Sequence, residues 1–277
     1  MPDDELTQQA PMRLRFLQSL WAHRELMCRL TEREILGRYR GSILGMVWTF
    51  GHPLLMLAIY TFVFSQVFQA RWGGGNPSPQ VFAINLFAGL IVFNLFSECM
   101  VRAPGLVTEN PNYVKKVIFP LEVLVPVTLG ASLFHAGCSL LVLVVVQVFF
   151  FHHVPLTTLS LPLVWLPFLL GSLSLGWLFS MLGVFLRDIN QLIAVAVQML
   201  MFLSPIFYPL TALPQAWRPL LRLNPLAPVI EQTRGILIDG TSPSLAYIAS
   251  GTVLTLVLCE ISFRFFCRAK RAFADVI

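Results

Sequence analysis

The residues of this chain best suited to chemistry are aromatics, arginines and a thin scatter of acids and histidines. Tyr60, Phe64 and Phe68 recur every four residues, so a helix would carry all three rings on one face. Phe202, Phe207 and Tyr208 form a second cluster. Such rings either pack against helices and lipid or stack on the faces of sugar rings. Acid–base or nucleophilic chemistry has less to build on. Glu98, Glu122, Asp188 and Glu260 stand at or toward the ends of apolar runs, and none forms a central relay. His52 and His135 are lone histidines, which read as hydrogen-bonded packing residues. His152-His153 lacks a third ligand nearby and reads as a solvated loop rather than a metal site. The five cysteines contain no C-x-x-C spacing. An ATP-hydrolysing P-loop ends in a lysine followed by Ser or Thr. The three lysines, Lys115, Lys116 and Lys270, are followed by Lys, Val and Arg. The chain therefore carries no such motor, and packing and saccharide stacking both stay open for the rings.

The elements that would hold these residues are membrane helices. Hydrophobic residues make up 56% of the chain and charged ones 12%, about half the share usual in a soluble domain. No formal charge occurs between Glu122 and Arg187, or from Leu44 to Phe68. The second stretch would span ~37 Å as a helix at about 1.5 Å per residue, enough for a bilayer core of ~30 Å. Six spans follow, at 44–68, 81–101, 121–151, 161–186, 189–209 and 245–266, together a transmembrane domain over 44–266. Fifteen of the 19 lysines and arginines then fall on the side of the N-terminus, against Arg71, Arg218, Arg222 and Arg234 opposite. The positive-inside rule puts both termini in the cytoplasm, with 1–43 as an N-terminal segment and 267–277 as a tail. Within the first segment, Leu14, Leu17 and Trp21, then Leu26 and Leu30, keep helical spacing among arginines and glutamates, as in an amphipathic interfacial helix. Segment 204–244 is apolar yet has prolines at 205, 209, 214, 219, 225, 228 and 243. That density forbids one long helix and predicts short re-entrant helices forming an outer gate. Ser172, Gly176 and Ser180 predict a close-packing face. The fold class is thus an all-α integral membrane protein. A net charge of +5 reflects topology, not nucleic-acid binding.

Longer motifs carry a family resemblance. Arg24-Glu25-Leu26, Arg38-Tyr39-Arg40-Gly41-Ser42-Ile43-Leu44-Gly45-Met46-Val47-Trp48 and Pro53-Leu54 resemble the opening motif of polysaccharide-exporting ABC transporter permeases. Tyr60 to Phe64 and Phe68 to Trp72 resemble its continuation in the O-antigen branch. Asn110 to Pro120 resembles a cytoplasmic coupling segment, and Phe202 to Pro209 with Asn224 to Pro228 a late gate region. The resemblance implies a multi-pass protein of the bacterial inner membrane, a homodimer paired with two separate ATPase subunits. ATP and Mg would sit on that partner, and this chain would bind no cofactor and be no enzyme. The substrate would be a lipid-linked polysaccharide such as O-antigen of lipopolysaccharide. Arg24, Glu25, Arg38, Arg40, Glu109, Lys115 and Lys116 would couple to the ATPase; Tyr60, Phe64, Phe68, Phe202, Phe207 and Tyr208 would line the glycan path. Related permeases export capsule or teichoic acid, and a hydrophobic drug is a neighbouring possibility. A membrane-bound glycan or lipid enzyme is the reading from another class, and would need a convergent polar cluster that the sequence does not offer.

Overall fold

A computed structural model describes residues 14–63, 79–114, 119–209 and 224–276. Among these residues the regular elements are helices, with no strand. The α-helices are α1 (Arg15–Ala22), α2 (Arg24–Arg38), α3 (Trp48–Phe62), α4 (Pro79–Arg102), α5 (Pro111–Val114), α6 (Leu124–Phe151), α7 (Leu161–Phe185), α8 (Ile189–Leu203), α9 (Leu226–Arg234) and α10 (Leu245–Val276). Among the described residues five stretches are long and apolar enough to cross a membrane: Gly45–Phe62, Gln80–Gly105, Leu121–Phe151, Leu156–Phe185 and Leu245–Phe273.

Two helices end elsewhere than the apolar runs predict. The run 189–209 is helical only to Leu203. Ser204 turns extended ahead of Pro205, whose ring disfavours a helical residue before it, and the Ser204 hydroxyl donates to the Leu200 carbonyl (2.6 Å). The resulting α8 has 15 residues and covers ~22 Å, short of a ~30 Å hydrocarbon core. At the other extreme, α10 continues through the charged residues after 266 to Val276. No glycine or proline interrupts it beyond Gly251, and Arg, Lys and Ala are strong helix formers. Residues 267–276 therefore continue the last helix. Helix α3 is entered through a 3-10 turn at Gly45–Val47.

Helix α4 is the axis of the chain. Leu86, Ala88, Val92, Leu95 and Met100 on it are sealed from solvent, and it packs against α3, α6, α7, α8 and α9. A second core gathers round Trp177, whose indole N–H donates to the Glu122 carbonyl (3.0 Å) and whose ring meets Phe16 and Phe263 edge-on. The small-residue face of α7 sits where the spacing predicts: Ser172, Gly176 and Ser180 are all buried. Gly183 extends this face. A Cβ there would overlap the Pro104 backbone, so only glycine admits the 3-10 turn Ala103–Gly105. Helix α10 lies along α7, with Ser174 and Ser262 hydroxyls bonded at 2.9 Å.

The N-terminal segment is two helices broken at His23, not one. In α1 the buried contact is Phe16, while the predicted stripe residues Leu17 and Trp21 are exposed. The Phe16 N–H donates to the Glu260 carboxylate (3.3 Å), and Glu260 also accepts from Arg264 (2.6 Å). The carboxylate of α10 thus satisfies an otherwise unpaired amide in the first turn of α1.

Candidate functional site

At the basic end of the molecule, α2 is fastened across the end of α4. Arg38 Nη2 lies 2.5 Å from Glu98 Oε1, and Arg102 Nη1 lies 2.5 Å from Glu34 Oε1. Arg38 Nη1 donates to His135 Nδ1 (2.8 Å) on α6. Arg33 donates to the Tyr113 hydroxyl (2.7 Å), and Tyr113 stacks on Phe119 at 4.2 Å. These contacts tie α2 to α4, α6 and the segment around α5. A polar recess of about 590 Å³ opens beside them between α3, α4 and α6, lined by Arg38, His52, Asn94, Glu98 and His135 among others. Half-exposed ion pairs of this sort contribute roughly 0.2–1 kcal/mol each, so they fix position more than stability.

Of the predicted coupling residues that are described, only Arg38 enters this network. Arg24 lies over the Trp21 ring (5.0 Å) and donates to the Trp21 carbonyl (3.1 Å). Glu25 and Arg40 are exposed, and the exposed Glu109 folds back beside Gly105. Lys115 and Lys116 lie outside the described residues. The sequence reading missed Glu34, Arg102 and Tyr113. A signal was present: Glu34 and Arg38, like Glu98 and Arg102, are four residues apart, the spacing of an intrahelical pair. Glu98 and Arg102 do meet within α4, at 3.9 Å, but the shorter bridges cross between the helices, Arg38 going to Glu98 and Arg102 to Glu34.

At the opposite end, α9 is inserted into the core. Leu226, Val229 and Ile230 are buried against α4 and α7, followed by Ile236 and Leu237 in a π-helical turn, Gly235–Asp239. Two carbonyls of that turn find outside donors, Leu237 from Gln147 (2.7 Å) and Ile236 from Thr157 (2.7 Å). Arg234, counted as a loop charge from sequence, is buried. It donates to the carbonyls of Asn85 (2.8 Å), Pro205 (2.5 Å) and Ile206 (2.7 Å). One guanidinium therefore joins α9, α4 and the bend after α8. Gly89 makes the room, since a Cβ there would stand 2.7 Å from Arg234 Nη2.

The predicted aromatic cluster forms on this bend. Phe202 and Phe207 stack at 6.1 Å, and the Tyr208 hydroxyl donates to the Phe202 carbonyl (3.0 Å). Phe202 is 67% exposed, whereas Phe207 packs on the core. Tyr60 is half-buried against the same core. Phe64 and Phe68 lie outside the described residues.

Comparison with known proteins accords with this helical architecture. The pattern of the ABC-2 type transporter family matches residues 25–238. An O-antigen export system permease protein RfbA from Klebsiella pneumoniae is 25% identical over 257 residues, covering 91% of this chain and 95% of the relative. The protein of the same name from Myxococcus xanthus is 25% identical over 266 residues, covering 95% and 100%. The polysialic acid transport protein KpsM of Escherichia coli is 26% identical over 233 residues, covering 82% and 87%. The matched region runs from α2 through α9, taking in both the latch and the Arg234 clamp, and the chain belongs to the ABC-2 type transporter family.

Proposed function

We propose that this chain is the membrane permease of an exporter of lipid-linked polysaccharide, of the O-antigen class, in the bacterial inner membrane. It works as two copies with two separate ATPase subunits that bind ATP and Mg, and it performs no catalysis itself. The observation that carries the reading is the exchanged pair of ion bridges between α2 and α4. Helix α2 lies on the surface and α4 through the core, so a push delivered at α2 reaches the helix against which α3, α8 and α9 all pack. In this reading both termini are cytoplasmic, and α8 with its bend completes a sixth pass. The exposed Leu17 and Trp21 of α1 rest in the headgroup region, and α9 is a re-entrant outer gate. Arg24, Glu25, Arg40 and Glu109 contact the ATPase, and the same coupling role is assigned from sequence to Lys115 and Lys116. The exposed Phe202 ring, with Phe207 and Tyr208, offers sugar-stacking surface toward a passage between copies, and the same path role is assigned from sequence to Phe64 and Phe68.

Deleting the gene in its host is expected to remove the polysaccharide from the cell surface and to leave it, still lipid-linked, on the inner membrane. Unaltered surface polysaccharide would refute the proposal. The relatedness to a polysialic acid transporter supports capsular polysaccharide as the second reading. Chemical analysis of the retained glycan decides between them.

A further inference from the structure

The basic end holds a second polar recess, remote from the latch. It has a volume of about 580 Å³ and is lined by Arg15 of α1 and by Phe263, Arg264, Cys267, Arg268 and Arg271 of α10. Arg264 is held by Glu260, and Lys270 turns away to Glu122. Arg268 and Arg271 are exposed and form no ion pair among the described residues. The guanidinium groups of Arg268 and Arg271, in a hollow also lined by Arg15 and Arg264, are suited to phosphate oxygens, which such groups grip bidentately.

The surface beyond the hollow specifies what the phosphate is attached to. Leu254, Val257 and Ile261 are exposed on α10. With Arg264, Arg268 and Arg271 they repeat at intervals of three and four residues, which keeps all six on one helix face. Ten residues separate Leu254 from Arg264, ~15 Å of helix and about half the thickness of a bilayer core. An acyl chain of one leaflet laid along this apolar stripe would bring its phosphate to the arginines.

We propose that this hollow is a binding site for an anionic phospholipid of the leaflet at the basic end of the chain. The lipid joins α1 to α10, adding its phosphate to the Phe16–Glu260 bond that already links them. The inference requires that α10 cross the bilayer, and it is independent of the identity of the exported glycan.

The test uses the purified full-length protein in lipid nanodiscs or detergent, with bound lipid read by native mass spectrometry and by thermal shift. Phosphatidylglycerol is expected to bind and to raise Tm, whereas phosphatidylcholine and inorganic phosphate do not. The variant R268Q/R271Q is expected to weaken phosphatidylglycerol binding about thirtyfold, in line with the contribution of two basic residues at an anionic surface. A charge-matched control, R29Q/R187Q, is expected to keep it. Equal loss in the control would reduce the effect to overall charge and overturn the site. Undiminished binding in R268Q/R271Q, or equal protection by inorganic phosphate, would also overturn it. Displacement of phosphatidylglycerol by an equimolar polyprenyl diphosphate would reassign the site to the substrate's carrier and refute the phospholipid. All four substituted arginines are exposed, and a monodisperse elution profile verifies that each variant is folded.

Discussion

Arg234 carries the heaviest structural duty of any single charge in the described residues. Its guanidinium satisfies three carbonyls from two other parts of the chain, one of them 149 positions away. Sequence could not assign that duty. An arginine in a proline-rich segment between two spans looks like a topological loop charge, and backbone carbonyls leave no mark in residue type. Gly89 was equally silent until the clamp gave it a reason. Stranding a buried polar group costs about 1–3 kcal/mol. Arg234→Lys, which retains the charge but lacks the planar fork, is expected to destabilise the protein by about 2 kcal/mol or more. Gly89→Ala is expected to do the same by displacing the guanidinium. Because both act on one contact, the double variant should cost clearly less than the sum of the two. Melting of all three variants in one detergent measures this, and simple additivity would show that Gly89 does not serve the clamp.

Helices were legible where apolar runs are long and unbroken, as in α4, α6 and α7. Their ends were not legible where polarity and helix propensity disagree. The extension of α10 is charged yet strongly helix-forming, while the end of α8 is apolar yet stopped by Ser204-Pro205. Helix partnering was hidden for a different reason. The spacing of Glu34 with Arg38 and of Glu98 with Arg102 is equally good for pairing within a helix, and only the crossing of α2 over α4 brings the exchanged partners together. That exchange makes an element-level prediction. Arg38→Glu sets like charges together at Glu98 and should detach the end of α2 from α4. Stability should fall by no more than about 1 kcal/mol, since the pair is half-exposed, while export should fall severalfold with ATP hydrolysis retained. The swapped variant R38E/E98R should recover part of the export. Full export by Arg38→Glu alone would relieve the latch of any role in transmission.

The whole molecule keeps its central helix covered and leaves its flanks bare. Helices α3 and α8 both pack on α4, yet Leu54, Ile59 and Phe62 on one, and Leu192, Met199 and Phe202 on the other, are exposed. These are the first and fifth spans of the sequence reading, on which the predicted path residues lie. Under the proposed function these flanks would face the glycan, and two copies related by a two-fold axis would enclose a passage between them. Burial separates the aromatics assigned to that passage. Tyr60 packs on the core of its own chain, so Tyr60→Ala is expected to lower thermal stability, with export falling in proportion to folded protein. Phe202 presents 67% of its surface outward, and truncating so exposed a ring typically changes stability by only about 0.5 kcal/mol. If its face is a stacking surface for sugars, Phe202→Ala should reduce export severalfold at normal yield and normal melting temperature. Phe202→Tyr, which keeps the ring, should restore it. Export and melting temperature measured on the same preparations distinguish a path residue from a packing residue. Unchanged export by Phe202→Ala at normal yield would place the passage away from the bend after α8.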